Sequence, residues 1–194
     1  MTTPPKSILT AEEFSQHRNE LPDGGRWTDL IAGQPVTLSP PDTEHGTAVL
    51  NLSKALADHV GSGHCGYACF ELGLLLQRQP DTALFPAISF FTQGDRFAEA
   101  DKVFSDTRPQ LVVEVASSND RRRQMAQRVE SWRQWSVDCI WIVDPHARQV
   151  HVFDGPRGAR VLTNHETLQG GGALTDFAIR VEAIFAEPTW WRGR

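Results

Sequence analysis

Apolar residues spaced three or four positions apart alternate along this chain with short, uninterrupted apolar runs. Between His45 and Val60 the spacing places the apolar side chains on one face, as in an amphipathic helix that packs on a sheet. Thr10 and Glu13 fit a Thr-x-x-Glu capping box, which begins a shorter helix. The pattern predicts four helices: Ala11–Asn19, His45–Val60, Arg121–Ser136 and Val181–Ala186.

Strands are predicted wherever apolar or β-prone residues run together without helical spacing. Turn-forming residues separate these runs, with Ala32–Gly33 suited to a tight hairpin and Gln79–Thr82 to a connecting turn. Gly94–Arg108 is predicted to be a surface loop, and Thr189–Arg194 a loose tail despite its two tryptophans. The predicted strands are Trp27–Leu30, Pro35–Leu38, Tyr67–Gln77, Ala83–Thr92, Leu111–Val115, Cys139–Val143, Gln149–Phe153, Arg160–Thr163 and Glu166–Leu168.

The segment from Leu111 to Val143 indicates the topology most clearly. Leu111–Val115 is a nearly continuous β-branched run, typical of a strand that is buried on both faces. A helix and the apolar run Cys139–Val143 follow it, which predicts a β-α-β unit with parallel strands and a right-handed crossover. We therefore expect an α/β fold: a central mixed β-sheet with this β-α-β core, flanking helices and an antiparallel β extension.

Composition narrows the class of protein. The chain has 194 residues, about the length of one domain, so we expect a single domain over residues 1–194 with its core at about 11–187. The 40% apolar and 22% charged content excludes disordered and fibrous classes. The apolar runs are too short to span a bilayer and Met1–Thr10 lacks the apolar core of a signal peptide, which favours a cytoplasmic protein.

The three cysteines do not predict a metal site. Cys65 and Cys69 lie four apart, without a second Cys or His pair at zinc spacing, and Cys139 stands alone. We interpret all three as buried thiols.

The net charge of −5 restricts any contact with DNA to a local patch, because sequence-independent DNA affinity comes from Lys and Arg side chains that neutralise phosphates. One predicted helix carries the candidate basic cluster: Arg121, Arg122, Arg123, Arg128 and Arg133.

Glu114 is the most informative single residue, since it interrupts the apolar strand Leu111–Val115. A buried carboxylate is costly unless it is paired, bound to a metal or placed at a strand end. The residues alone leave three interpretations open: a functional carboxylate, an exposed glutamate at the strand end, or the partner of a helix arginine.

Four segments in order resemble the successive motifs of a restriction endonuclease-like domain family that is widespread in bacteria. They are GRWTDLIAG (residues 25–33), SPP (39–41) with His45, PQLVVEVAS (109–117) and WIVDP (141–145). The resemblance covers about Ala11 to Glu187, and the family is similar to the PD-(D/E)XK nuclease superfamily. It implies a restriction endonuclease-like fold and a metal-dependent DNA endonuclease that hydrolyses phosphodiester bonds.

The resemblance also implies a metal site made by carboxylates on neighbouring strands. Asp29 and Glu114 fall on two ligand positions for Mg²⁺ or Mn²⁺, hard cations that prefer carboxylate oxygens and activate water. The third acidic position falls on Ala87, which cannot coordinate a metal. Asp81 lies six residues earlier, in a predicted turn, and is not accepted as its substitute.

The family's catalytic lysine falls on Arg128. Arginine keeps a positive charge near a phosphate but cannot act as a base at neutral pH. Gln124 lies one turn earlier and could orient a water molecule. The alternative interpretation of Arg128 is a buried ion pair with Glu114.

Two further residues are weaker candidates for the same cleft. His45 could cap its helix or line the cleft, and a structural hydrogen bond is the plainer interpretation. Glu71 lies among apolar residues and could face the cleft or lie on an exposed strand face.

Three functional hypotheses remain. The first is an endonuclease with impaired catalysis, with Asp29 and Glu114 as metal ligands and Arg128 or Gln124 as the polar helper. The second is a catalytically inactive nuclease-fold binding or assembly module, as a homodimer through its sheet edge or aromatic patches. The third is an α/β domain whose strands only imitate the family, which would separate Glu114 from Asp29 and Arg128.

Overall fold

The structure is a computed structural model that describes residues 8–94, 98–99, 102–155 and 158–188. The predicted tail at 189–194 with its two tryptophans, most of the first ten residues and part of the predicted loop at 94–108 lie outside these ranges.

The described residues form four α-helices, two 3₁₀ turns and thirteen strands. The helices are α1 (Ala11–His17), α2 (Thr43–Gly61), α3 (Asn119–Gln134) and α4 (Val181–Ile184), and the 3₁₀ turns are Arg18–Glu20 and Pro22–Gly25. The strands are β1 (Thr28–Ile31), β2 (Gln34–Thr37), β3 (Tyr67–Phe70), β4 (Gly73–Gln77), β5 (Thr82–Leu84), β6 (Ile88–Phe91), β7 (Phe104–Ser105), β8 (Leu111–Val115), β9 (Cys139–Asp144), β10 (Gln149–Phe153), β11 (Arg160–Leu162), β12 (Thr167–Gln169) and β13 (Ala178–Arg180).

Helix α1 begins at the predicted residue, and α2 and α3 each begin two residues earlier than predicted. Thr10 accepts a hydrogen bond from the backbone of Glu13 in a complete capping box. Asp42 caps α2, and Ser118 caps α3 by accepting from the backbone N–H of Arg121. These caps fix the first turn of each helix, which matters because α3 carries much of the candidate site.

The predicted β-α-β core is confirmed. Strands β8 and β9 are parallel neighbours joined by α3, at the centre of a six-stranded sheet of order β11-β10-β9-β8-β6-β3. The other neighbouring pairs in this sheet are antiparallel, so the sheet is mixed and β10–β11 is the expected antiparallel extension. Glu114 therefore lies on a central strand, with β6 on one side and β9 on the other.

The prediction of single strands over Tyr67–Gln77 and Ala83–Thr92 is wrong. Each run is broken, and its halves belong to different sheets: β3 and β6 to the six-stranded sheet, β4 and β5 to a second sheet of order β2-β1-β5-β4-β7. The first run breaks at Glu71, whose φ of 50° is outside the strand region. The second breaks at Pro86, which lacks the N–H that a sheet ladder needs.

Three apolar clusters hold these layers together. On one face of the large sheet, α2, α4 and the β12–β13 hairpin bury Leu52, Ile184 and Leu168. On the other face, α3 packs Trp132 against residues of the second sheet such as Leu74. The third cluster lies between α1 and the second sheet. The site described below lies where α3 and the two sheets meet.

Several smaller predictions need correction. Cys65 is exposed and Cys69 is half-buried, so Cys139 alone is the buried thiol that was predicted for all three. Strands β7 and β13 were not predicted, because runs of two or three residues carry too little pattern. Helix α4 is shorter than expected. Within the described ranges, even the longest helix lacks the continuous apolar stretch needed to cross a membrane.

Candidate functional site

Asp29, Glu114 and Arg128 converge at one point inside the protein. They come from β1, β8 and α3, three elements that are far apart in sequence, and their exposed fractions are only 1%, 2% and 3%. The third hypothesis, which required these residues to be separated, is therefore wrong. The sequence motifs that carry Asp29 and Glu114 do mark a shared site.

The guanidinium of Arg128 bridges the two carboxylates. Its Nε donates to Oε1 of Glu114 at 2.9 Å, and its Nη1 donates to Oδ2 of Asp29. Its Nη2 donates to the backbone carbonyl of Phe85 at 3.3 Å. All three nitrogens of the guanidinium thus have acceptors, which a buried charge requires.

The break between β5 and β6 supplies the remaining partners. Phe85 lies at this break, where its backbone N–H and carbonyl are free of the sheet ladder. The N–H donates to Oδ1 of Asp29 at 2.9 Å, while the carbonyl accepts from Arg128. The interruption at Pro86 is therefore what lets the backbone take part in the network.

Trp132 is a member of the site that sequence reasoning missed. Its indole Nε1 donates to Oε1 of Glu114 at 2.8 Å, so this oxygen accepts from both Trp132 and Arg128. The sequence pattern predicted Trp132 on the apolar face of the helix, and the residue does lie on that face. Its spacing of four residues from Arg128 was the available signal, since side chains four apart lie on the same face of a helix.

Burial and pairing shift the pKa values of this network. Burial raises the pKa of Glu114, although the hydrogen bonds from Arg128 and Trp132 oppose that shift. Burial alone would lower the pKa of Arg128, but the carboxylates of Asp29 and Glu114 outweigh it and raise the pKa. Arg128 therefore remains charged at neutral pH.

The residues present do not fit a divalent metal. The guanidinium of Arg128 already pairs with one oxygen of Asp29 and one of Glu114, in the place where the family resemblance implies a cation. Ala87 lines the adjacent cavity at the third acidic position, and that cavity has a volume of only about 20 Å³. This is room for about one water molecule. In the described part of the chain, no group of three or more His, Cys, Asp or Glu side chains could hold a metal ion.

Gln124 does not join the site. It is half-buried on α3, and within the described residues its side chain forms no hydrogen bond to Asp29, Glu114 or Arg128. Its role in orienting water stays a prediction.

The predicted basic cluster is also dispersed. Arg121 and Arg128 are buried against the sheets, whereas Arg122, Arg123 and Arg133 point along other stripes of α3. A single helix face cannot present all five, because successive residues are rotated by about 100° around its axis. The helix is not one basic surface for DNA.

The SPP motif and His45 have structural roles beside the network. Ser39 accepts from Nη2 of Arg121 at 3.0 Å through its carbonyl, and its N–H donates to Asp120 at 2.7 Å. His45 is buried and faces Ser117, with 3.5 Å between Nδ1 and Oγ. Burial, reinforced by the charge of Arg121, lowers the pKa of His45 to about 4.

Arg121 and Glu71 complete the surroundings of the small cavity, which both of them line. The Nε of Arg121 is buried and has no partner among the described residues. Glu71 is exposed at the strand break. Both interpretations of Glu71 are therefore partly right, because it is exposed and also borders the cleft.

Asp81 lies in the β4–β5 turn, as predicted, yet it is 4% exposed. Its carboxylate accepts from the backbone of Ala11 at 2.8 Å and of Gln79 at 3.1 Å, and pairs with Arg78. The turn aspartate thus ties the start of α1 to the second sheet and does not serve the carboxylate site.

Comparisons with known proteins agree with this architecture. Residues 11–182 match the model of the Uma2 family, described as "Putative restriction endonuclease". The structure is similar to the crystal structure of a "putative nuclease belonging to DUF820" from Anabaena variabilis ATCC 29413, with a TM-score of 0.74 and 16% identity. That match covers 91% of this chain and 97% of the other, and it confirms the expected restriction endonuclease-like fold. No curated protein matches the chain. Because the family model spans most of the sequence, this chain belongs to the Uma2 family.

Proposed function

We propose that this Uma2 protein is a nuclease-fold binding module that does not hydrolyse DNA. The observation that carries the proposal is the position of Arg128, whose guanidinium bridges Asp29 and Glu114 in the place where the family resemblance implies a metal. A permanent side-chain cation there is paired with one oxygen of each carboxylate. The acidic pair is retained as part of the core and no longer as a metal site.

The chemistry of cleavage would need groups that this arrangement does not supply. Hydrolysis of a phosphodiester requires an activated water and stabilisation of the charge that develops on the phosphate. Arg128 cannot accept a proton at neutral pH, because its carboxylate partners raise its pKa. The cavity beside Ala87 also has no room for a cation with its waters.

DNA is the candidate ligand because of the family, and the mouth of the small cavity offers a local basic patch. Arg26 is exposed and lines the cavity, and Arg18 stacks its guanidinium 4.0 Å from the ring centre of Phe85. Glu71 offsets part of this charge, and the whole chain carries −5. We expect weak DNA binding that falls steeply as salt concentration rises.

The test combines a cleavage assay with a binding assay. Purified protein should leave supercoiled plasmid intact with Mg²⁺ and with Mn²⁺, while fluorescence anisotropy with a labelled duplex, in the presence of a chelator, should detect low-salt binding. Arg26→Ala should weaken that binding, and Arg108→Ala, an exposed arginine outside the cavity, should leave it nearly unchanged. Nicking that requires metal and is lost in Glu114→Gln would contradict the absence of catalysis. Failure to bind duplex at low salt would contradict the choice of DNA as ligand.

A further inference from the structure

A groove of about 490 Å³ runs along α3, on a different stripe of the helix from the buried network. Its floor is apolar, formed by Met125, Val129, Ile142 and Phe153. The first three are almost fully buried and Phe153 is half-buried. The groove between the helix flank and β9–β10 thus has an apolar floor with charged side chains at its edges.

The surface continues onto the neighbouring strand. Val161 of β11 lies directly opposite His151 of β10, so both side chains are on the groove side of the sheet. Val161 is 45% exposed, so it adds an apolar side chain to the edge of the groove. A groove with an apolar floor and a charged rim has the anatomy of a protein–protein contact site.

We propose that this groove is where a second copy of the chain docks, with the two α3 helices antiparallel across a two-fold axis at Ala126. In such a dimer, residues equally far from Ala126 in opposite directions meet each other. Arg122 and Glu130 each lie four residues away, about 6 Å along the axis at 1.5 Å per residue. Each Arg122 therefore meets Glu130 of the other copy, which gives two opposite-charge pairs.

The side chains at the groove suit this arrangement. Ala126 is exposed and small, so the two helix backbones can approach closely at the axis. Arg122 is already held over the groove by Asp144, with 3.6 Å between Nε and the carboxylate, and by Asn119 at 3.1 Å. Glu130 is exposed about two turns further along α3, where its Oε1 accepts from Gln134 at 2.9 Å. Less side-chain entropy is lost on association when one partner is already positioned.

The charge balance disfavours nucleic acid as the occupant. Arg122 and Arg133 line the groove together with Glu130 and Asp144, so the formal charges cancel. A DNA-binding groove would need an excess of positive charge to neutralise phosphates. The self-complementary order of charges about Ala126 instead matches a second copy of the same surface.

Reversing either charge tests the pairing. Sedimentation velocity of the full chain should show a dimer. Arg122→Glu and Glu130→Arg should each raise the dimer Kd by at least about tenfold, because like charges then face each other in both pairs. An equimolar mixture of the two variants should dimerise again, since every contact in the mixed dimer pairs opposite charges. Lys54→Glu, at an exposed position on α2 outside the groove, is the control and should remain dimeric.

Two outcomes would overturn the proposal. One is a wild-type chain that sediments as a monomer over the micromolar range. The other is a dimer that both charge reversals leave intact, because that dimer uses another surface. Circular dichroism of each variant establishes that it is folded, so loss of the dimer cannot be confused with unfolding. This inference is independent of the proposed function: the plasmid assay and the sedimentation assay can fail separately.

Discussion

Trp132 and Arg128, one turn apart on α3, donate to the same carboxylate oxygen of Glu114, at 2.8 Å and 2.9 Å. This shared acceptor joins the helix to the central strand at a fully buried point. Because Arg128 also holds Asp29 of the second sheet, one side chain connects α3 with both sheets. The network therefore links three elements at the position where the family resemblance implies a metal.

Removing the charge of Arg128 should destabilise the fold strongly. Arg128→Met leaves Asp29 and Glu114 buried without their counter-ion, and breaking such a network costs about 3–5 kcal/mol. Urea unfolding should show this loss in the free energy of unfolding. Arg123→Met, an exposed position on the same helix, should change it by less than about 0.5 kcal/mol. Equal stability of the two variants would mean that the network contributes little.

Trp132 should stabilise the fold through its indole N–H as well as through its size. Trp132→Phe removes the donor to Glu114, and a hydrogen bond to a charged group is worth about 1.5–3 kcal/mol. Trp135→Phe, a half-buried tryptophan at the end of the same helix, is the matched control and should cost less. Thermal unfolding of both variants gives the comparison, and a larger effect at Trp135 would contradict the role assigned to Trp132.

His45 should make the fold less stable in mild acid. Its pKa is about 4 in the folded protein against an ordinary value of 6.5, so between these values the unfolded chain binds the proton and the folded protein does not. The free energy of unfolding should fall as pH decreases through this window, by at most about 3 kcal/mol. His45→Gln should flatten the pH profile, whereas His17→Gln at an exposed site should not. An unchanged slope in His45→Gln would contradict the assignment.

Asp81 should behave as a structural anchor. Asp81→Ala removes the acceptor for the backbone N–H groups of Ala11 and Gln79, and we expect a loss of about 1–3 kcal/mol. Hydrogen exchange should show that α1 opens faster in Asp81→Ala than in the wild-type chain, whereas the opening of α3 should be unchanged. Asp106→Ala, at an exposed loop position, is the control and should show neither change.

The sequence predicted the features that depend on local pattern. Capping residues, the β-branched run at Leu111–Val115 and the helical spacing from His45 onward each specify a conformation from nearby residues, and all three are confirmed. The meeting of Asp29, Glu114 and Arg128 was predicted through the family resemblance, because their spacing alone does not bring three distant segments together.

The division into two sheets could not be predicted in the same way. An apolar run such as Tyr67–Gln77 is equally compatible with one long strand and with two short strands, since both bury the same side chains. The backbone breaks at Glu71 and Pro86, together with the strands that pair with each half, divide each run between the two sheets. The roles of Phe85 and Trp132 were missed for the same reason. No sequence pattern shows which acceptor a backbone amide or an indole N–H will bind.

Metal binding tests the central claim most directly. Calorimetric titration of the wild-type chain with Mn²⁺ should give no saturable heat, because the guanidinium of Arg128 already pairs with Asp29 and Glu114. The double variant with Ala87→Asp and Arg128→Lys returns a third carboxylate and releases the bridge, so it should bind Mn²⁺ measurably. Saturable binding of Mn²⁺ by the wild-type chain, abolished by Glu114→Gln, would contradict the account.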